Sequence, residues 1–461
     1  MRRVLSWDWR SPFRIAGTTL GVSLALAVVF GLASRPASSQ LHWGFKTTLA
    51  WVTWVWESIF GVDAVGSVKV GGSLDFFGSA IDGSASGSAA VGAMPLTLTV
   101  ITLLATAVAF RRATSSSPSA VSALLLGARA ALLTAIPLVA VSLLVSLNAN
   151  DLVSLVGTGG GPGSVLQQWL SLSGDKALSL SLSTSDAALV PPALLLAVVA
   201  GLTLLRGEWF TGRIWQGIQL CLSAPLRAFG RLAVAVVIGG LLFELTIWLV
   251  RWNTSWPGGE HRPSLTAHQW VNGFASAIAY AGNAGAMALG LGSLGSVGYT
   301  TSATASTPLL SGPNTPHEAH WIAWFAQPDH LAYGVWIAVL LAPAILLYAA
   351  WPLTRPHGAD ARAALTGLGT WLVSLVVAIP VLASVANLSV DGSGSADATF
   401  AIGGFTGQAT GSASAGLSTL VCTFVVFVYA LILGAVLMAR ARPKPSAQDS
   451  AADTRLLSSP Q

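Results

Sequence analysis

Apolar runs near twenty residues alternate along this chain with longer stretches rich in Gly, Ser, Thr and Ala. Eight such runs stand out, at about 13–33, 94–110, 121–147, 188–206, 231–250, 331–350, 366–386 and 416–438. Each can cross about 30 Å of hydrocarbon, the run at 94–110 being at the short limit. Lipid offers no partner for backbone N–H and C=O groups, so each crossing must be a helix. The pattern predicts an all-α transmembrane helical bundle of about eight spans.

The basic residues orient it. With the N-terminus inside, 17 of the 23 Lys and Arg fall on inner segments or the inner end of a helix, among them Arg111, Arg112, Arg206, Arg213, Arg355, Arg362, Arg440 and Arg442. Only Arg35, Lys46, Lys69, Lys176, Arg251 and Arg262 fall outside, although the outer segments are more than twice as long. Basic side chains resist translocation, so both termini are expected inside, in a cell membrane. Residues 1–33 also fit a signal peptide, with Gly31-Leu32-Ala33 as the small-residue site. The apolar core is longer than the usual 7–15 residues, which favours an uncleaved first helix. Within it, Gly17 and Gly21 form a GxxxG pattern, read here as packing within the monomer.

The same charge bias decides two ambiguous stretches. Residues 41–61, LHWGFKTTLAWVTWVWESIFG, hold four tryptophans. A crossing here would turn every later arginine cluster outward. At helical spacing His42, Lys46, Thr53 and Glu57 share one face. Leu41, Phe45, Leu49, Trp51, Val52, Val55, Trp56 and Ile59 lie opposite. The expectation is an amphipathic helix in the outer interface, anchored by Trp43, Trp51, Trp54 and Trp56; an ordinary helix packed in an outer cap is the alternative. Residues 271–298 are mildly apolar, and by the same test form a surface or re-entrant segment. Residues 208–222 have an amphipathic pattern that fits the inner surface.

The outer segments, 34–93, 148–187, 251–330 and 387–415, contain short alternating runs: Ser67–Val70, Leu178–Ser183 and Thr399–Ile402. Period-two alternation between glycines predicts strands, hence a β-containing extracytoplasmic cap. Flexible Gly/Ser loops are the competing reading. The chain divides into a first four-helix half (1–206), an inner connector (207–230), a second four-helix half (231–442) and a disordered tail (443–461). The halves share a loop pattern. Ala135-Ile-Pro-Leu-Val-Ala140 resembles Ala378-Ile-Pro-Val-Leu-Ala383, Ala128-Arg-Ala-Ala-Leu132 resembles Ala361-Arg-Ala-Ala-Leu365, and Gly44-Phe45 with Ala50-Trp51 resembles Gly273-Phe274 with Ala279-Tyr280. These suggest a parallel 4+4 repeat about an axis along the membrane normal, although the first two matches differ in offset and cannot both be in register.

Composition sharpens the class. Hydrophobic residues make up 53% of the 461, charged residues only 9%, and mean hydropathy is +0.68; soluble domains average about 25% charged. The net charge of +5 sits beside apolar runs, so it marks orientation and not a nucleic-acid surface. Two cysteines exclude a disulfide framework. The excess of Arg over Lys, with abundant Ala, Gly, Val and Leu, fits a bacterial gene.

Few residues suggest chemistry. Glu244 is the only acidic residue in a predicted span, and a charge there usually faces the bundle interior. Glu244 is a speculative substrate-binding residue, and Arg129, about two turns into its own span, is another. For Arg129 snorkelling to the inner rim is the plainer role. His317, His320 and His330 could supply imidazoles to Zn²⁺ or Cu²⁺, but His317-Glu-Ala-His320 lacks HExxH spacing. Pro137, Pro343 and Pro380 can kink their helices. There is no Walker A loop, no nucleophile elbow and no metal-type cysteine pair, so no enzyme and no cofactor is expected.

The stretch Pro95-Leu-Thr-Leu-Thr-Val-Ile-Thr-Leu-Leu, running to Arg111-Arg112 after an Ala/Gly/Ser-rich outer segment, resembles the streptophobe family in layout. These are multi-pass bacterial membrane proteins of unknown function. The resemblance covers most of the chain and implies eight or so helices but no activity. Two functions fit: a non-catalytic envelope protein with an outer cap, or a permease or exporter for an apolar or neutral small molecule. The lipid bilayer is the one partner composition requires.

Overall fold

The computed structural model describes residues 9–35, 43–76, 79–115, 119–148, 151, 175–206, 213–253, 266–293, 296–306, 315–323, 332–354, 361–400 and 403–440. His330 and the tail expected at 443–461 lie outside the described residues.

Ten helices are described: α1 Arg10–Ala33, α2 Phe45–Ser58, α3 Leu96–Ala113, α4 Ala120–Leu144, α5 Thr184–Leu204, α6 Arg213–Asn253, α7 Ala267–Gly292, α8 Ala332–Thr354, α9 Ala361–Ala386 and α10 Thr419–Arg440. Each of the eight predicted spans coincides with one of them. Seven are long and apolar enough to cross a membrane: α1, α3, α4, α5, α7, Pro225–Thr246 of α6 and Leu368–Ala386 of α9. Shorter apolar stretches, Ile337–Trp351 and Val421–Val436, lie in α8 and α10. The chain is a multi-pass membrane protein.

The Gly/Ser-rich segments form strands: β1 Ala64–Phe76, β2 Ser79–Gly92, β3 Leu147–Asn148, β4 Asp175–Leu182, β5 Ser296–Ser306, β6 Thr315–Ala323, β7 Leu388–Phe400 and β8 Gly403–Leu417. All eight belong to one antiparallel sheet in the order β3-β4-β1-β2-β7-β8-β5-β6. Ser67–Val70 falls in β1, Leu178–Leu182 in β4 and Thr399–Phe400 at the end of β7. Small residues match small ones across the central β2–β7 pair, Gly87 opposite Gly394 and Ser88 opposite Ser393. Hydroxyls then bridge the strands: Ser86 to Ser395 at 2.9 Å, Ser88 to Ser393 at 3.1 Å and, between β1 and β4, Ser67 to Ser179 at 2.8 Å. Such cross-strand pairs each contribute about 0.2–1 kcal/mol.

Among the described elements the order is the same in both parts of the chain: two helices, a strand pair, two helices, a strand pair and a helix. Strand order matches too, β3-β4-β1-β2 beside β7-β8-β5-β6. Pro137 and Pro380 each lie about two turns before the end of α4 and α9. By contrast, Ala128 is in mid-α4 whereas Ala361 opens α9, so that sequence match is out of register.

Three sequence expectations change. No separate inner connector covers 213–230: from Arg213 these residues are the first turns of α6, which runs unbroken through Pro225. Its 41 residues measure about 61 Å, roughly twice the hydrocarbon thickness. Residues 271–292 are not re-entrant, because α7 is one continuous helix with a capping box at Thr266 and Gln269. The GxxxG pair in α1 does not pack within the monomer. Gly17 and Gly21 are exposed, with nothing within 4 Å of where a Cβ would stand. The inward face of α1 belongs instead to Ile15, Ala16, Thr19, Ser23, Ala27 and Gly31.

The tightest joints surround α7. A Cβ on Gly240 of α6 would lie 1.6 Å from the Ala281 carbonyl oxygen, and one on Gly285 would lie 1.8 Å from that of Val236. On the other side a Cβ on Gly292 would meet the Ala338 carbonyl oxygen of α8 at 1.9 Å. The backbones touch, and only glycine permits it. Three asparagines satisfy the helix ends gathered here. Asn272 donates to the Ser34 and Arg35 carbonyls at the end of α1. Asn283, 7% exposed, accepts from Leu96 N–H at 3.0 Å and donates to the Met94 carbonyl at 3.0 Å and the Ala386 carbonyl at 3.2 Å. It thereby ties the start of α3 to the end of α9. Asn387 exchanges two hydrogen bonds with Leu417, where β8 leads into α10.

Gly285→Ala is expected to destabilise by about 1–3 kcal/mol or more, since α6 and α7 must separate to admit a methyl group. Gly17→Ala, in open space on α1, should be neutral or stabilising. Thermal unfolding in detergent distinguishes them; equal melting temperatures for the two variants would contradict the close approach.

Candidate functional site

The most secluded polar group is Glu57, in the last turn of α2. It is 0% exposed, and neither carboxyl oxygen has a hydrogen-bond partner. The N-terminal half of α2 is surface-like, with Phe45 86% and Leu49 48% exposed. The C-terminal half turns Thr53, Trp56, Glu57 and Ser58 inward. The polar stripe read from the sequence is real, but its C-terminal part faces protein, not water.

Three hydrogen bonds tie α1, α3 and the end of α2 together beside Glu57. Trp56 Nε1 donates to Ser23 Oγ on α1 at 2.8 Å. Thr99 Oγ1 on α3 donates to the Ile59 carbonyl at 2.6 Å. One turn deeper, the Thr19 and Thr106 hydroxyls of α1 and α3 are 2.8 Å apart. Counting one turn outward from that pair on these antiparallel helices reaches Ser23 on α1 and Thr102 on α3. Thr102 is 0% exposed, and its hydroxyl has no partner. Glu57 and Thr102 are thus two buried polar groups without a hydrogen-bond partner. Ala27, Trp56, Ile59, Phe60 and Leu98 share one apolar cluster, while Ile15 and Phe110 belong to another, nearer the N-terminus of α1 and the C-terminus of α3.

Burial pushes the Glu57 carboxyl from its ordinary 4.5 up to about 8. Its place in the last turn of a helix, at the negative end of the dipole, also disfavours the charged form. At neutral pH Glu57 is an acid, not a carboxylate. Nearby, where β1 and β7 leave the helices, Asp63 is raised by burial and by the neighbouring charges of Asp186 and Asp391. Among the described residues no group of three His, Cys, Asp or Glu could hold a metal ion.

The residues singled out from sequence are dispersed. Glu244 is half-buried on α6, with one carboxyl oxygen buried and unpartnered. Its neighbour Phe243 packs with Ala288 of α7 and Ala338 of α8. Arg129 is on α4, its guanidinium 5.5 Å from the Trp9 ring at the start of α1. His317 and His320 are both in β6, three positions apart. Of the four tryptophans, three form an edge-to-face row: Trp43 to Trp51 at 5.9 Å and Trp51 to Trp54 at 4.9 Å. Arg35 lies over Trp43, and Trp51 Nε1 donates to the Gly31 carbonyl. Trp56 is not an interfacial anchor: it is 8% exposed and belongs to the core.

Sequence reasoning missed the burial of Glu57 and Thr102, yet for the hydroxyl-bearing faces a signal was present. Thr99, Thr102 and Thr106 recur at helical spacing in α3, and Thr19 and Ser23 do so in α1. A polar stripe inside an apolar helix marks a face turned to protein.

Neither family models nor curated proteins nor solved structures yield a match to this chain.

Between pH 4.5 and 8 the folded chain keeps a proton on Glu57 that the unfolded chain has lost, so this group's contribution to stability falls as pH rises through that window. Glu57→Gln should flatten this part of the melting-temperature profile and melt above wild type at its alkaline end. An unchanged slope would show that the carboxyl titrates normally.

Proposed function

We propose that the protein is a non-catalytic, multi-pass protein of the cell envelope that holds an eight-stranded sheet outside the bilayer as a platform. It crosses the membrane eight times, with both termini inside. The observation that carries this reading is the convergence of helix ends on one sheet. Strands begin or end within a few residues of the outer ends of α3, α4, α5, α7, α9 and α10. Arginines lie at the opposite ends of α3, α5, α9 and α10: Arg111, Arg112, Arg206, Arg362 and Arg440. There Arg206 of the α5 terminus donates to the Thr114 and Arg111 carbonyls at the end of α3. Positive-inside orientation then puts the sheet outside.

Under this reading α7 does not cross, despite its length. Its hydrogen-bond partners are the ends of neighbours, Ser34 and Arg35, Met94 to Thr97 and Ala386. It also packs on Leu417 and the second turn of α8, while its closest backbone approach is to Val236–Gly240 of α6. It lies over the bundle beneath the sheet, as the shorter α2 does in the first half. The matched element and strand orders support a duplication with parallel halves. The streptophobe resemblance fits this layout and adds no activity. The permease reading draws on Glu57 and Glu244, the buried acids whose oxygens lack partners.

Cysteine labelling tests the topology. With Cys221 and Cys422 replaced, Ser86→Cys in β2 should react with an impermeant maleimide on intact cells, and Ser115→Cys after α3 only once the membrane is opened. The reverse order would overturn the orientation. A deletion strain tests the role: it should show an envelope defect without altered solute flux, and Glu244→Gln should restore it fully. A lost flux that Glu244→Gln fails to restore would establish the permease reading instead.

A further inference from the structure

The N-terminal half of α7 is built inside out. Small residues, Ala275, Ala279 and Gly282, are buried against the protein. Large apolar ones point away from it: Val271, Phe274 and Ile278, at spacing i, i+3 and i+7, are 55%, 52% and 40% exposed. A helix on the surface of a soluble domain does the reverse. α1, which is long and apolar enough to span the membrane, has the same pattern. It buries mostly small residues, Ala16, Thr19, Ser23, Ala27 and Gly31, and exposes Val28, Val29 and Leu32. In lipid, small side chains let helices approach while large apolar ones meet the acyl chains. The exposed stripe of α7 is thus shaped for lipid and not for water.

Contacts with α1 and α6 set its depth. α1 ends at Ala33, and Asn272, next to Val271, donates to the Ser34 and Arg35 carbonyls just beyond. On α6, Trp248 stands two residues past Thr246, where that helix's apolar stretch ends. Its ring lies 5.8 Å from that of Trp270 and 6.1 Å from that of Phe274. α2 reaches the same end of α1. Trp51 Nε1 donates to the Gly31 carbonyl at 2.9 Å, and a Cβ on Gly31 would lie 3.2 Å from the Val52 Cα. From that crossing the N-terminal half of α2 exposes Phe45 and Leu49. Tryptophan, with an apolar ring and one N–H, suits the boundary between headgroups and acyl chains. The Arg35 guanidinium over Trp43 adds a basic group at the same end.

We infer that the exposed sides of α2 and α7, Phe45 with Leu49 and Val271 with Phe274, are seated in the headgroup–acyl boundary of the bilayer at this end of α1. They carry on the lipid-facing flank that Val29 and Leu32 form on α1 itself. The partner is the phospholipid surface, and that it is the outer leaflet rests on the orientation proposed above. Seated so, the two helices fix the height of the bundle in the membrane.

The test uses the full chain in phosphatidylcholine liposomes, with Cys221 and Cys422 replaced and a bimane label on Phe45→Cys or Phe274→Cys. Lipid carrying a nitroxide near its headgroup should quench both labels about twofold more than lipid carrying it near the chain end. Aqueous iodide should quench them little. A label on Leu24→Cys, deeper along α1, calibrates the lipid probes, and one on Ser86→Cys in β2 calibrates iodide. Labels at Phe45 and Phe274 that neither lipid probe quenches would overturn the inference, whether water or another protein covers them. Stronger quenching from the chain end would overturn it too. Should a variant fail to fold, Leu49→Cys or Val271→Cys takes its place on the same helix. An inverted orientation would leave this quenching intact and would show only in the maleimide order, so the two readings fail separately.

Discussion

Asn283 meets the constraint on which the rest of the molecule depends. Helix ends leave backbone groups without partners, and in an apolar surround each such group is costly. Here the start of α3 and the end of α9 come together against the middle of α7, just past the ends of β2 and β7. One amide side chain supplies an acceptor to Leu96 N–H and donors to the Met94 and Ala386 carbonyls. The two parts of the chain meet at that amide. Close packing completes the joint, because Gly240, Gly285 and Gly292 let α7 sit directly on the backbones of α6 and α8.

The sheet follows from this arrangement. Once helix ends are fixed in one plane, the connections between them lie side by side, and their backbones pair with each other. Small side chains suffice, since neighbouring strands and not a thick core satisfy the main chain. The serine bridges between β2 and β7 show how little side-chain chemistry the pairing uses. They also show that the sheet belongs to both parts of the chain at once.

The spans and much of the sheet were legible in the sequence because lipid imposes a strong length rule and strands a strong alternation rule. The fate of polar residues was harder to read. Glu57 sits on a face that amphipathic reasoning assigns to water, yet packing by α1 and α3 encloses it. Trp56 looked like an interfacial ring and proved to be a core donor to Ser23. Gly17 and Gly21 looked like a packing motif, but α1 turns its hydroxyl-bearing face inward instead. In each case the deciding fact was which neighbour arrives, and that depends on helices distant in sequence. The asparagine joints were illegible for the same reason: a lone Asn in an Ala/Gly helix carries no pattern.

The β2–β7 seam has a consequence for biogenesis. Ser86 and Ser395, hydrogen-bonded in the finished sheet, are 309 residues apart along the chain. At about 5–20 residues per second of synthesis, β2 waits roughly 15–60 s for its neighbour. Throughout that interval the first half has emerged with a long, glycine-rich strand edge unpaired, a template for errant association. The nascent protein therefore passes through a vulnerable stage that ends only when β7 arrives. Truncation anywhere before that strand would leave the stage permanent.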